Sequence, residues 1–396
     1  MRVRTEPWIF GLTAASAAAV LLSIAAAQIL LVAAAILWLY GRPVRVRWPS
    51  YFLPLGAVLL TTVLSMAASP DPGLGVWSVR KFWLCIMGLL AANFVTSTWR
   101  ALKAHQLLIG VAALAASIGV VQFVFTTARF LRTHDLADDP TVLARITGTM
   151  GHWMTFGGEQ LLVWCVAVPA LLVLGRRWTW PVAVIEFAIV LSFTRSVWIG
   201  AAVGFAAVSF SLPRRLILGV LLPVAIMGVA GAPFIYHRVM MSFQKEFSPD
   251  TSRLAMLDVG FRMIRDHPLF GVGPERIDDE FPKYYRGTDL GNFYYGHLHN
   301  NMLQLAAERG LLCLAAFLWF LLELYRSLLR LLKASDEATR WLALSALSAL
   351  TAFVTAGFLE YNFGDSEVLL LLLFIVSIPF GVLASNVQED PHRQQG

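Results

Sequence analysis

Two histidines and an asparagine stand directly before a long apolar segment, in the stretch GHLHNNMLQLAAERGLLCL at residues 296–314. An imidazole titrates near neutral pH, which suits a general base, and nearby cations keep the ring unprotonated by lowering its pKa. His297 and His299 are therefore candidates for proton transfer or substrate binding. Asn300 is a candidate substrate-binding residue that can also cap the helix behind it. The H-x-H spacing alone shows no third ligand nearby, so we expect no metal ion here.

Four cations occupy unusual positions for a chain of this hydrophobicity. Arg195 interrupts the apolar run IVLSFTRSVWIGAAVG, Arg80 and Lys81 precede another apolar run, and Arg253 begins a polar loop segment. Two or three such side chains neutralise a diphosphate, and the arginine fork matches phosphate oxygens. Each cation has a simpler explanation: lipid headgroup contact for Arg80 and Lys81, pairing of Arg195 with Glu186 or another acid, and plain exposure for Arg253.

Two further charged groups need an explanation. Glu360 lies in EYNFGDSE, between the last two apolar segments, and is a candidate substrate-binding residue or an ordinary loop acid. Glu308 and Arg309 lie inside the apolar run that follows the histidines. We interpret them as a local structural pair or a polar contact that faces other helices.

The overall composition indicates the environment in which these residues lie. Of 396 residues, 58% are hydrophobic and 14% are charged, and the mean hydropathy is +0.67. Soluble proteins carry about 25% charged residues. We therefore predict an all-α membrane protein that crosses the bilayer many times. Its expected partners include membrane lipid and no nucleic acid. The three cysteines lie in apolar stretches and are interpreted as small buried residues, with no disulfide or metal role.

Apolar length and charge give a topology with about twelve spans. Lys and Arg favour cytoplasmic connections, and placing both termini in the cytoplasm puts a basic residue in every cytoplasmic connection. The candidate site residues then share the opposite side of the membrane. The predicted spans are 8–24, 26–41, 51–68, 81–97, 105–127, 156–175, 180–194, 197–212, 216–235, 299–325, 340–359 and 367–386.

The long loop between the ninth and tenth spans, residues 236–298, is predicted to contribute to the site. Its segment TSRLAMLDVGFRMIRDHPLFGVG is typical of an amphipathic helix that ends at a turn. The segment GVGPER lacks the rest of a glycine-rich nucleotide motif, so no nucleotide site is expected. We treat residues 1–396 as one membrane domain.

The stretch HNNMLQLAAERGLLC closely resembles the H-[NSQ]-x9-G-x-x-G signature of the O-antigen ligase family. His299 and Asn300 begin the motif and Gly310 holds the first glycine position, whereas Cys313 replaces the second glycine. SFTRSVWIG resembles the family's arginine turn, and the segment from Arg253 to HPLFGVG resembles its loop. Lys81 matches the basic residue at the start of an early span.

This resemblance implies a metal-independent, inverting glycosyltransferase of the GT-C class without a cofactor. It also implies a bacterial inner-membrane location with a periplasmic site, and undecaprenyl-diphosphate-linked glycan as the donor. Arg195, Arg253 and Lys81 would hold the diphosphate, while His299 would activate the acceptor hydroxyl or assist at the diphosphate. Ligation of O-antigen to lipid A-core is the preferred activity. An O-antigen or exopolysaccharide polymerase, and a transporter of lipid-linked sugar or polysaccharide, are the alternatives.

Overall fold

The computed structural model describes residues 5–41, 46–132, 145–222, 225–226, 249–287, 296–333 and 336–389. This part of the chain consists of helices, turns and irregular segments, and no strand occurs in it. The all-α prediction is therefore confirmed for the described ranges. Six helical segments there are long and apolar enough to cross a membrane, judged by length and composition.

Within the described residues, fifteen helices are numbered in chain order. Short 3₁₀ turns lie at Lys81–Cys85, Arg176–Trp178 and Asn362–Gly364. The helices are α1 Glu6–Ala19, α2 Ile24–Tyr40, α3 Phe52–Ala68, α4 Pro72–Arg80, α5 Ile86–Phe94, α6 Thr98–Leu131, α7 Trp153–Leu174, α8 Thr179–Leu191, α9 Arg195–Ser209, α10 214–222, α11 Pro249–Asp266, α12 Ile277–Tyr284, α13 Asn301–Leu331, α14 Glu337–Gly357 and α15 Ser366–Glu389.

The twelve-span count remains a prediction. Helices occur at each predicted span, but the described parts of α1, α2, α3, α8, α9 and α10 are shorter than the six long segments. Several topology predictions fall outside the described residues: the basic residues at 1–4 and 42–45, the end of the ninth span, loop residues 236–248 and 288–295, and the C-terminal residues 390–396.

The fourth span begins earlier than predicted. The apolar pattern predicts that this span starts at Lys81, but the helical segment Pro72–Phe94 starts nine residues before it. The Asp71 side chain caps α4 by accepting a hydrogen bond from the Gly73 backbone N–H at 3.1 Å, and Pro72 suits the first helical turn. Lys81 therefore lies in a 3₁₀ stretch inside this segment, where α4 passes into α5.

Three helices form the centre of the bundle. In each of α7, α14 and α15, 78% of the most apolar stretch is buried, compared with 33% in α6. Helix α9 packs against α14 because small residues allow close approach. A Cβ on Gly204 would lie 2.8 Å from the Ala352 Cβ, and one on Gly200 would lie 3.3 Å from the Ala356 Cβ. The two helices are therefore antiparallel, and the start of α9 lies beside the end of α14.

A second, smaller apolar cluster joins the loop helices α11 and α12 to the bundle. Met256, Val259 and Met263 on α11 are buried together with Leu298 and Leu303, which flank the start of α13. A Cβ on Gly260 would lie 2.8 Å from the Leu303 side chain, so α11 approaches this region closely. The loop helices are thus packed against the residues that surround the histidines.

Candidate functional site

His297, His299 and Glu360 form a compact cluster, which we call the histidine cluster. Each contributes one side-chain nitrogen or oxygen, and these three atoms lie within 4.8 Å of one another. The rings of His297 and His299 meet edge to face, with centroids 4.2 Å apart. His299 Nδ1 lies 3.4 Å from Glu360 Oε2, and both side chains are mostly buried, at 17% and 14% exposure. The structure therefore brings three of the sequence candidates together.

The local environment sets the charges of this cluster. Burial lowers the pKa of His297 to about 4, and the neighbouring His299 also lowers it. Burial alone would raise the pKa of Glu360, but the two histidines hold it below its usual value. At neutral pH the cluster therefore contains a neutral His297 imidazole and an ionised Glu360 carboxylate.

His299 adopts a backbone conformation that non-glycine residues rarely use, with φ of +47°. Its neighbours hold the segment in place: the Leu298 N–H donates to Gln304 Oε1 at 2.7 Å, and Asn300 Oδ1 accepts from the Leu303 N–H at 2.9 Å. The amide of Asn300 also donates to the Phe358 carbonyl at 2.9 Å. The prediction that Asn300 caps the following helix is confirmed, and the same side chain ties the histidine segment to the end of α14.

Asn300→Ala is expected to lower the free energy of unfolding by about 1 kcal/mol, because the cap of α13 and the bond to Phe358 are both lost. Asn300→Asp is expected to lower the free energy of unfolding by less, since a carboxylate still accepts from the Leu303 N–H, although it cannot donate to the Phe358 carbonyl. Thermal unfolding of the purified protein in detergent measures both effects. Equal stability of wild type and Asn300→Ala would contradict the proposed contribution of this cap.

Asn301 anchors the segment that carries Glu360. Its buried side chain donates to Asn362 Oδ1 at 2.6 Å and accepts from the Phe363 N–H at 3.1 Å. Asn362 in turn donates to the Phe353 carbonyl of α14 at 3.0 Å. These bonds attach the segment after α14 to the start of α13, which explains how residues far apart in sequence form one cluster.

Helix α13 is broken at Gly310, a feature that the sequence interpretation missed. The span was predicted as one continuous helix, but Gly310 has φ of +85° and ψ of 169°. The turn HPLFGVG lies against this break. Val272 N–H donates to the Ala307 carbonyl and Gly273 N–H to the Glu308 carbonyl, both at 2.9 Å, while Leu311 N–H donates to the Pro268 carbonyl at 2.8 Å. Backbone groups released by the break are thereby satisfied by the loop.

Glu308 and Arg309 form the predicted local pair, with Arg309 Nε 3.2 Å from Glu308 Oε1, and both side chains are buried. Arg309 also donates to the hydroxyls of Ser78 at 3.0 Å and Tyr361 at 3.1 Å. Glu308 accepts from the Glu275 N–H at 3.1 Å and from the side chain of Gln304. The pair is thus the centre of a network that joins α4, the loop, the histidine segment and the Glu360 segment.

Lys81 lies at the edge of this network. Its ammonium group donates to the Gly364 carbonyl at 3.2 Å and lies 3.9 Å from the Glu275 carboxylate, to which Ser78 donates at 2.7 Å. Lys81 and Arg309 also line one cavity of about 20 Å³, enough space for a single water molecule. Lys81 is 40% exposed, so its charge remains partly accessible to a ligand.

Arg195 is placed by the antiparallel packing of α9 on α14. It is exposed in the first turn of α9, after a tight turn at Phe193, whose φ is +47°. Because Gly200 lies beside Ala356, the start of α9 lies at the end of the bundle that holds Glu360. The alternative partner Glu186 accepts a hydrogen bond from Trp164 at 3.3 Å, and its other oxygen has no hydrogen-bond partner among the described residues.

The remaining two cations differ in their surroundings. Arg253 is half-buried near the start of α11, the loop helix that packs against Leu298 and Leu303. Arg80 is exposed, and its guanidinium lies over the Trp77 ring, 4.1 Å from the centroid. An exposed cation stacked on an aromatic ring needs no substrate to explain it. The helix that carries Arg253 thus packs beside the histidine segment, whereas the position of Arg80 is explained by Trp77 alone.

A further polar group near the cluster was not predicted from the sequence. His152 stacks on Trp153, with ring centroids 4.1 Å apart. Burial lowers the pKa of His152, and the nearby carboxylates of Glu360 and Asp365 offset this only in part. Asp365 accepts a hydrogen bond from Thr155 at 2.6 Å. The sequence signal was weak, because these residues come from the start of α7 and from the segment before α15, which lie far apart in the chain.

Fold and site together define a helical membrane protein with a polar, partly buried site of imidazoles, carboxylates and cations at one end of its bundle. Residues 180–318 match the family model described as O-antigen ligase, and this confirms the resemblance to the O-antigen ligase and polymerase superfamily. The matched segment includes Arg195, Arg253, His297 and His299, whereas Glu360 comes from outside it. The family implies an enzyme of the ligase or glycosyltransferase type. No curated protein matches the chain.

Proposed function

We propose that this protein transfers a glycan from undecaprenyl diphosphate to an acceptor hydroxyl at the histidine cluster, by an inverting mechanism without metal or cofactor. The observation that carries the proposal is the approach of His299 to Glu360, 3.4 Å apart, in a segment whose sequence matches the O-antigen ligase family. An imidazole oriented by a carboxylate is a common arrangement for a general base.

The proposed step forms one bond and breaks one. The acceptor hydroxyl oxygen attacks the anomeric carbon of the donor sugar from the side opposite the diphosphate, so the configuration inverts. The hydroxyl proton passes to His299 Nε2, while the bond from the anomeric carbon to the diphosphate oxygen breaks. Glu360 faces Nδ1 and stabilises the imidazolium that forms, since its carboxylate is ionised at neutral pH.

The leaving diphosphate needs cations near the cluster. In this proposal Arg195 and Arg253 hold its oxygens, and Lys81 contributes a partly exposed ammonium group beside Gly364. The apolar helices accommodate the polyprenyl tail, so that the diphosphate of the donor reaches the cations at the end of the bundle. The site is proposed to face the periplasm, with the protein in the bacterial inner membrane.

Among possible acceptors, we propose lipid A-core, which makes the protein an O-antigen ligase. A polymerase would use the same donor and the same histidine cluster, and would differ only in taking a growing glycan as the acceptor. Transport is a less suitable function because transporter sites usually lie near the bilayer midplane. In this chain the histidine cluster lies between the start of α13 and the end of α14, at the end of the bundle.

The test uses the purified full-length protein in nanodiscs with undecaprenyl-diphosphate glycan and lipid A-core, in EDTA and without nucleotide. We expect glycan to appear on lipid A-core and free carrier diphosphate to accumulate in equal amounts. Glycan that lengthens on its own carrier would replace the ligase assignment with polymerase activity. An intact donor, with folding verified by size-exclusion chromatography and thermal unfolding, would contradict glycan transfer as the function.

A further inference from the structure

We infer that the histidine cluster binds a zinc ion, and that the bound metal holds the enzyme inactive. The inference concerns regulation of the proposed catalytic site and therefore rests on the proposed function for its second half. Metal binding itself depends only on His297, His299 and Glu360. The sequence shows no third ligand near the two histidines, but the fold brings Glu360 beside them and so corrects the expectation of no metal site. Two histidines and one carboxylate are a frequent ligand set for zinc with an open fourth position.

The separation of one ligand pair, His299 and Glu360, fits such an ion. The three candidate ligand atoms lie within 4.8 Å of one another. Two ligands at tetrahedral positions around zinc lie about 3.3 Å apart, given bond lengths of about 2.0–2.1 Å. His299 Nδ1 and Glu360 Oε2 are 3.4 Å apart, and neither atom has a further hydrogen-bond partner within the described part of the chain. The pair thus has a separation typical of two metal ligands.

The ligand types favour zinc or a similar transition metal over magnesium. Magnesium and calcium prefer oxygen ligands, and only Glu360 supplies oxygen in this cluster. Imidazole nitrogens bind zinc, copper and nickel well. The side chains of His299 and Glu360 are mostly but not completely buried, at 17% and 14% exposure, so a small ion can reach them without unfolding of the site.

The backbone presents these ligands in a fixed arrangement. The left-handed conformation of His299 and the bonds made by Leu298 and Asn300 hold the histidine segment. Asn301 ties the Glu360 segment to the same helix start through Asn362 and Phe363. Two ligands are thus held at a suitable separation, and only the His297 ring must move closer to them, which favours binding.

A zinc ion on Nδ1 of His299 prevents the proposed proton transfer because it changes the tautomer of the imidazole. In the active form, Nδ1 of His299 carries a proton that faces Glu360. Its Nε2 has a free lone pair, which takes the proton from the hydroxyl group of the glycan acceptor. A metal ion at Nδ1 displaces the first proton, so the remaining proton of a neutral imidazole must be on Nε2. His299 then has no lone pair for the acceptor hydroxyl. Removal of zinc restores the original tautomer.

The experiment titrates ZnCl₂ into EDTA-treated, desalted full-length protein in nanodiscs of zwitterionic lipid, followed by isothermal calorimetry. We expect one zinc ion per chain in the wild type and an affinity at least about tenfold weaker in His297→Ala and Glu360→Gln. His267→Ala is the matched control, because its imidazole is exposed on the loop, and it is expected to bind zinc like the wild type. Thermal unfolding of each variant verifies its fold.

A parallel arm measures glycan transfer with and without zinc, and we expect inhibition that EDTA reverses. Zinc binding that is equal in all four proteins, or absent from the wild type, would overturn the metal site. Stimulation of transfer by zinc would overturn the inhibitory role. If zinc binds through the cluster but the metal-free protein transfers no glycan, the metal site stands and the proposed function fails. If the protein transfers glycan but binds no zinc, the proposed function stands and the metal site fails.

Discussion

His299→Ala is expected to reduce kcat for glycan transfer by about 10²–10⁴-fold, the usual contribution of a general base. The acceptor hydroxyl would then lose its proton to water, which is not held in place. Because His299 is partly exposed and lies outside the helices, we expect the variant to fold. Steady-state transfer to lipid A-core measures the effect, with thermal unfolding as the check on structure.

Two further variants test the role of His299 as the general base. Glu360→Gln keeps the shape of the side chain but removes the charge that stabilises the imidazolium, so its kcat is expected to lie between wild type and His299→Ala. His267→Ala removes an exposed imidazole from the loop and is expected to retain wild-type activity. Activity of His299→Ala within about threefold of the wild type would exclude His299 as the general base.

Gly310→Ala is expected to destabilise the protein by at least about 3 kcal/mol and to remove most of its activity. The φ of +85° at this position strains any other residue, and an added Cβ would lie only 2.0 Å from the Leu269 carbonyl oxygen. Relief of that clash requires the turn HPLFGVG to move away from the break in α13. Its bonds to the Ala307 and Glu308 carbonyls would then be lost.

Gly110→Ala is the matched control, since Gly110 lies within α6 and an added Cβ there meets no atom within 4 Å. That substitution is expected to be neutral or to stabilise slightly, because alanine favours a helix over glycine. Thermal unfolding in detergent compares the two variants directly. If Gly310→Ala were as stable as Gly110→Ala, the break in α13 would not be needed to hold the loop.

The break also links stability to function. The turn that lies against Gly310 joins α11 to α12, and α11 carries Arg253 and the apolar residues that pack against Leu298. Displacement of this turn would move Glu275 as well, whose N–H bonds to Glu308 and whose carboxylate accepts from Ser78. A single glycine thus helps to position the loop, the buried pair and the histidine segment.

Much of the fold was predictable because it depends on local properties of the chain. Apolar length and low charge predicted helices close to those observed, and the asparagine after His299 predicted the cap of α13. The fourth span begins before its predicted start because Asp71 and Pro72, which lie outside the predicted spans, together form a helix start. The motif at His299 and Asn300 carried the resemblance to the O-antigen ligase family because its residues are close together in sequence.

The composition and the order of residues by themselves determined the class of protein, most of the helix positions and the histidines as candidates. Only the tertiary structure decided that Glu360 is the partner of His299, that Gly310 breaks its helix, and that Arg309 bonds to Ser78, 231 residues away. The physical reason is that these contacts join segments distant in the chain. A backbone break or a buried charge is stable only when another segment supplies the missing hydrogen bonds.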